Sequence, residues 1–411
     1  MRRKCTDSLI QWKKNPHRHP LLLQGLRQTG KTWIALDFAE KNYKNTLYLN
    51  LETDKPAADY LSVSRPPQDA LLFLETYAGK PLLPSVSLLI LDNIQCVPKL
   101  STLLAALSLD YPQYHIIAIH RGLASPELYN KNDFDIISLY PLDFEEFLWA
   151  NAEYALSREI RRHFSTLTPL GKELHQKALS QFYLYLVTGG MPLSVLEYRR
   201  EKKLLMVPDI QQKLLELILG DISSQAPTGM TRHCQNAWLS IPAQLEKSSR
   251  KFQYSLITRG ATAKTYEKPL DWLLRSGYAL ACRQTSLHLY PTDCGLCARV
   301  LGVPSYQLLT GSETPAARAC TETFLAQHFT RNGYTLSYWS SGNQAEVPFL
   351  LEKEGRHIAV DYRLTPHQKT RNLTRFRAEM NTNAEMYLLS VEDFREKENY
   401  HIVPVYAGFC V

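Results

Sequence analysis

HPLLLQGLRQTGKTWIALDFAEKNY, residues His19 to Tyr43, changes its period half-way along. Pro20 to Leu23 is a short apolar run suited to a buried strand. Beyond Lys31, the apolar residues Ile34, Ala35, Phe38 and Ala39 recur at helical spacing on one face. Between the two lies Gly25-Leu26-Arg27-Gln28-Thr29-Gly30-Lys31-Thr32, which fits G-x-x-x-x-G-K-T at every fixed position and in the strand-turn-helix setting that motif requires. Gly25 and Gly30 let the backbone wrap closely around phosphates, and amides at the helix start supply donors. Lys31 reaches the β- and γ-phosphates of a nucleotide, and the Thr32 hydroxyl is a magnesium ligand. Leu26, Arg27, Gln28, Thr29 and Trp33 complete the expected cradle. The bland alternative is a surface loop with a lysine, and the flanking strand and helix argue against it.

Working outward, NTLYLNLE (Asn45 to Glu52) and VSLLILDN (Val86 to Asn93) are nearly continuous apolar runs, as expected of parallel strands covered on both faces. YHIIAIH (Tyr114 to His120) and FDIISLY (Phe134 to Tyr140) add a fourth and fifth strand, with helices expected around Asp69 to Tyr77 and Leu100 to Leu107. The expected fold class is α/β, a P-loop parallel sheet followed by further domains. Asp92 ends the third strand, where an acid holds the water shell of magnesium, so Thr32 and Asp92 are the expected metal side of an ATP site. Asn93 follows it, and an amide cannot accept a proton from attacking water.

A chain of 411 residues has room for two to four domains. Its 45% hydrophobic and 21% charged residues fit a globular protein, and no apolar run is long enough to span a bilayer. The N-terminus is basic without an apolar stretch, so a secretory signal is not expected and the cytoplasm is. Eight scattered cysteines suit reduced thiols. Cys294 and Cys297, with Cys282 and His288 upstream, have the residue types of a zinc site but not its paired short-loop spacing, so buried thiols are the expectation. Forty-seven basic against forty acidic residues give a formal charge of +7, which permits a nucleic-acid partner without demanding one.

Taken in order, GLRQTGKTW, LDNIQ, LYPLDFEEFL, YLVTGGMP, ILGDI, SRKFQYSLI and YEKPLDWLLRSGYAL, with a weaker continuation in YWSSGNQAEVPFLL, resemble a bacterial and archaeal family of AAA-type P-loop ATPases with a C-terminal domain of restriction-endonuclease-like type. The resemblance implies ATP and magnesium as ligands and a helical lid after the sheet. Three departures qualify it. The family has Glu where Asn93 stands, so hydrolysis is expected to be slow or absent and nucleotide to act as a switch. Its fourth strand ends in a small polar segment that senses the γ-phosphate, where this chain has Ile119, His120 and Arg121. In the tail Glu346 survives, but Pro348, Ala359 and Asp361 replace the expected Asp, Glu and Lys, so a retained fold without nuclease activity is expected. Glu52 and Asp54 are alternative bases for an active, DNA-stimulated ATPase.

The expected division is an ATPase core at 1–141, a helical lid at 142–212, a winged-helix-like domain at 213–304 and an endonuclease-like domain at 305–411. Asp143 is the expected N-cap of a helix opening the lid, with Glu145 and Glu146 in its first turn. Phe182, Tyr183 and Tyr185 read as packing. Thr262, Lys264, Tyr266 and Lys268 are expected on an exposed helix, and Arg250, Lys251, Arg259, Lys264 and Lys268 are candidates for DNA phosphates. The alternative is a protein-binding regulatory module with a structural nucleotide.

Overall fold

The computed structural model describes residues 1–342, 345–366 and 371–411. Two compact units emerge, Arg2–Tyr140 with Arg275–Gly277, and Pro141–Leu274 with Tyr278–Val411 and Met1.

The smaller unit runs α1 (Cys5–Lys14), β1 (Leu21–Gly25), α2 (Lys31–Asn42), β2 (Asn45–Asn50), α3 (Lys55–Ser62), α4 (Pro67–Ala78), β3 (Ser87–Asp92), α5 (Leu100–Asp110), β4 (His115–Arg121) and β5 (Asp135–Ser138). All five expected strands form, in one parallel sheet of order β2-β3-β4-β1-β5. Successive residues of a strand point to opposite faces. Leu22, Leu47, Leu49, Leu89, Leu91, Ile116 and Ala118 therefore pack with α3, α4 and α5. Leu21, Leu23, Leu88, Ile90, Ile117 and Ile119 pack with Leu9, Trp12, Ile34 and Phe38 of α1 and α2. Two-sided burial is why these strands read as unbroken apolar runs. The order also sets β4 between the P-loop strand β1 and the Asp92 strand β3, with Arg121 beside Gly25 and Ile119 beside Asp92.

The larger unit begins with helices α6 (Phe144–Ala150), α7 (Tyr154–Thr166), α8 (Lys172–Thr188), α9 (Pro192–Glu201), α10 (Val207–Gln225), α11 (Thr231–Leu245) and α12 (Ala263–Arg275). The hairpin β6 (Ala279–Arg283) and β7 (Leu287–Pro291) and helices α13 (Cys294–Leu301), α14 (Ser305–Leu309) and α15 (Pro315–Arg331) follow. A mixed sheet closes the chain: β8 (Thr335–Ser340), β9 (Glu346–Lys353), β10 (Arg356–Arg363), α16 (Asn372–Met380), β11 (Glu385–Ser390), β12 (Arg395–Glu396) and β13 (His401–Pro404), in order β12-β13-β11-β10-β9-β8. Asn343 and Gln344 of the stretch YWSSGNQAEVPFLL lie outside the described residues. Helix α15 is buried along most of its length, and its Phe324 meets Phe144, Phe182 and Tyr185 edge-on.

Asp143 caps α6, accepting from the Glu146 amide at 2.8 Å while Glu146 accepts from the Asp143 amide at 3.3 Å. The stretches LYPLDFEEFL and YLVTGGMP meet here: the Leu142 amide donates to Gly190 O at 2.6 Å, and a Cβ on Gly190 would come within 2.0 Å of Leu142 O. Two expectations fail in this unit. Tyr266 is buried with Pro269, Leu270 and Leu273, because α12 turns that stripe inward. Arg250 is no surface cation either. Its guanidinium is ion-paired to Glu322 and, at 2.9 Å, to Glu346, with the Tyr362 hydroxyl also against it.

Candidate functional site

The turn from β1 into α2 has the backbone its sequence demands. Gly25, Gln28 and Gly30 have φ of 143°, 65° and 92°. At Gly25 the need for glycine is absolute, since a Cβ would stand 2.2 Å from the carbonyl oxygen of Leu139. The Thr29 hydroxyl closes the loop by donating to Leu26 O at 2.9 Å, and Arg3 donates to Thr29 O at 2.9 Å. Lys31 is folded over the loop, its Nζ donating to Gly25 O and Leu26 O at 2.7 Å each.

A cavity of about 400 Å³ opens above this turn, walled by Arg27, Gln28, Gly30, Lys31, Thr32 and Trp33 from the loop and by Tyr48, Asn50, Glu52, Asp92, Asn93 and Arg121 from the carboxyl ends of β2, β3 and β4. Gly25, Leu26 and Thr29 stand behind that wall and shape it. Asp92 is oriented by three donors: the Thr32 hydroxyl at 2.7 Å and the Tyr48 hydroxyl at 3.1 Å on Oδ2, and the Asn93 amide at 2.8 Å on Oδ1. Burial and the nearby Asp92 charge push the Tyr48 phenol well above its ordinary range, so it remains a donor at neutral pH.

Asn93 has φ of 58°. Its Nδ2 donates to Asn50 Oδ1 at 2.9 Å, and its Oδ1 accepts from Arg121 Nη2 at 2.9 Å and from Gln95 Nε2 at 3.3 Å. The same Arg121 nitrogen is 2.5 Å from Glu52 Oε2, and the Gln95 Oε1 accepts from the Arg121 amide at 3.2 Å. The hydrogen bond from Arg121 holds the Glu52 carboxyl below its usual range. Of the three residues at the end of β4, then, Arg121 reaches the cavity. Ile119 belongs to the core, and His120 packs against Tyr129, its pKa lowered to about 4 by burial. Asp54 lies outside the cavity wall, accepting from the Asn50 amide at 3.3 Å and the Tyr77 hydroxyl at 3.4 Å. Tyr48 and Asn50 are missed by sequence reasoning. Their only signal is a polar residue at alternate positions of an otherwise apolar strand.

Residues 17–148 match the family model described as an AAA domain. This stretch is an AAA-type P-loop domain. Residues 179–307 match a domain of unknown function, DUF8612. No curated protein matches the chain. Among solved structures, the Walker-type ATPase of Pyrococcus abyssi is 13% identical with a TM-score of 0.47, over 73% of this chain and 95% of that one. Drosophila ORC bound to DNA is 16% identical with a TM-score of 0.29, over 72% and 94%. C. elegans PCH-2 is 12% identical with a TM-score of 0.27, over 38% and 48%.

Outside the AAA domain, Cys282 and His288 face each other across the β6–β7 hairpin, and Cys294 and Cys297 lie on α13. His288 stacks on Tyr338 at 4.0 Å, burial pushes the Cys282 and Cys294 thiols up, and the neighbouring Cys297 together with burial pushes the Cys320 thiol up. Among the described residues no group of three His, Cys, Asp or Glu side chains is arranged to hold a metal ion, and no helix is long and apolar enough to cross a membrane.

Proposed function

We propose that the chain binds ATP with magnesium in the cavity of its AAA domain and holds it far longer than it takes to bind it. The observation that carries this is the Thr32 hydroxyl set 2.7 Å from an Asp92 carboxylate that two further donors orient. One hydroxyl and one carboxylate suit magnesium, which keeps several waters and takes few protein oxygens beside those of phosphate. The ion would supply charge neutralisation along the phosphates. The chain's own part is to exchange the carbonyl partners of Lys31 for phosphate oxygens, offer the amides of the loop, and keep Thr32 and Asp92 aligned. Slow hydrolysis follows from the acids available. Asn93 takes no proton, and Glu52 is held by Arg121 in a form that resists protonation, which makes it a weak base.

The test is equilibrium nucleotide binding beside single-turnover hydrolysis for the wild type, Lys31→Ala and Asn93→Glu. The proposal expects tight binding with slow turnover in the wild type, loss of binding in Lys31→Ala and faster turnover in Asn93→Glu. Ordinary turnover by the wild type would sink the holding role and move the search for a base to Glu52 or a second subunit.

Within the larger unit we read 142–212 as a helical lid, 213–304 as winged-helix-like and 305–411 as endonuclease-like without nuclease activity, in a cytoplasmic protein. Three helices followed by the β6–β7 hairpin support the second of these. Pro348 and Ala359 offer no ligand atoms, Asp361 is bound to Arg363 and Asn372 at 2.8 and 3.2 Å, and Arg250 lies between Glu322 and Glu346, which supports the third. Magnesium-dependent cleavage of plasmid DNA would overturn it. A DNA contact through α12 would rest on Lys251, Arg259, Lys264 and Lys268, with Glu267 and Asp271 exposed among them. Four phosphate contacts limit the slope of log K against log salt to roughly −4. A steeper slope would call for another surface, and no binding at low salt would favour a protein partner.

A further inference from the structure

The proposal above assigns Lys31, Thr32 and Asp92 to the phosphates and their metal and leaves the base of the nucleotide without a partner. Most other side chains of the cavity wall are already engaged: Tyr48 with Asp92, Asn50 with Asn93, and Glu52 with Arg121. Arg27 and Gln28 belong to the loop that wraps the phosphates. Trp33 is different. It lines the same cavity, is 50% exposed, and is the one exposed tryptophan among the six of the chain. Its indole N–H has no hydrogen-bond partner among the described residues. The local sequence explains why it stands there. Ile34, Ala35, Phe38 and Ala39 of α2 turn into the core, so helical spacing turns Trp33 outward, in the first turn and directly after Thr32. An indole open to water on the wall of a polar cavity is a large apolar surface that folding has left uncovered. Aromatic rings hold nucleobases by their faces, and stacking does not read the donors and acceptors on the base edge.

We propose that Trp33 is the platform on which the base of the bound nucleotide stacks, and that the site takes purine nucleoside triphosphates without telling adenine from guanine. The inference rests on the reading of the cavity as a nucleotide site and names the class of nucleotide that site accepts. The Asn50 amide and the Tyr48 hydroxyl, two wall groups suited to reading a base edge, are held by Asn93 and Asp92. The ring face is therefore the recognising surface, and a purine covers more of it than a pyrimidine does.

The experiment is equilibrium binding of magnesium-ATP, magnesium-GTP, magnesium-CTP and inorganic tripolyphosphate to the full chain, as wild type, Trp33→Phe, Trp33→Ala and Lys31→Ala. The wild type binds ATP and GTP within about threefold of each other and CTP more weakly. Trp33→Ala weakens ATP and GTP by about tenfold or more, the scale of one lost base stack, and leaves tripolyphosphate unchanged. Lys31→Ala loses tripolyphosphate and nucleotides alike. Trp33→Phe keeps most of the affinity, since a smaller ring still offers a face, and the change in tryptophan emission that ATP produces in the wild type is absent from it. An ATP affinity unchanged in Trp33→Ala, or equal losses of ATP and tripolyphosphate there, overturns the inference while nucleotide binding stands. A preference of tenfold or more for ATP over GTP overturns it too, because the base edge is then being read. Should the wild type bind no nucleotide, both readings fall together. Should Trp33→Ala fail to fold, the emission change in the wild type and its loss in Trp33→Phe decide the matter.

Discussion

Asn93 reads in the sequence as a missing carboxylate, but the structure gives it duties of its own. At φ of 58° it adopts a left-handed conformation that asparagine tolerates and most residues resist, and its amide joins Asn50 to Arg121. Asn93→Glu therefore carries a backbone penalty of about 1 kcal/mol together with a supplied base worth roughly 10²–10⁴ in rate. The expected outcome is faster single-turnover hydrolysis and a thermal midpoint lower by a few degrees, read by kinetics and calorimetry on the same preparation. Gly25 marks the opposite extreme, a position with no freedom. Its missing side chain leaves room for Leu139 O, so Gly25→Ala should cost about 1–3 kcal/mol of stability through overpacking, visible as a lower urea midpoint, and should abolish nucleotide binding.

Among the elements, helix α6 separates what the sequence carries from what it hides. The N-cap Asp143 and its reciprocal partner Glu146 are three residues apart, and that spacing alone marks the start of the helix. Nothing local reveals that Arg331, at the end of α15, donates to Glu146 at 2.8 Å and lies 3.4 Å from Asp143. Asp143→Ala should therefore cost more than the roughly 1 kcal/mol of a lost cap, about 3–5 kcal/mol in all, since it removes one partner of a buried charge. Chemical denaturation of Asp143→Ala beside Asp143→Asn, which keeps the cap, separates the two contributions. The five strands of the AAA domain were similarly legible as apolar runs, whereas their order was not. Strand order is fixed by which apolar faces meet across helices far apart in sequence, and for that reason the reach of Arg121 into the cavity was hidden although its place at the end of a strand was plain. Tyr266 failed for a related reason: an amphipathic helix presents two faces, and sequence alone did not say which one the neighbouring helices would cover.

Across the whole molecule, burial acts in one direction on three histidines. His115, His120 and His288 each have a pKa lowered to about 4, chiefly by burial. Each binds its proton more readily in the unfolded chain, so the stability it contributes is full above about pH 6.5 and is lost as pH falls towards 4. Asp293, wholly buried and bonded to the Gly190 and Leu296 amides at 2.7 and 2.9 Å, has its pKa raised to about 6 and acts oppositely, favouring the folded state as pH falls below 6. Three groups outweigh one. The unfolding midpoint should fall between pH 7 and pH 4.5, and Asp293→Asn should steepen that fall, measured by calorimetry across the range. Because His115 and His120 lie in the smaller unit and Asp293 in the larger, the smaller unit should be the first to melt in acid.

The position of β4 within its sheet bears on how much of the AAA domain a bound nucleotide could move. A strand hydrogen-bonded on both sides and covered on both faces opens rarely, and its amides should be among the slowest of the unit to exchange with solvent. Arg121 is thus carried on an immobile post. The exchange protection of β4 should therefore stay the same whichever nucleotide is bound.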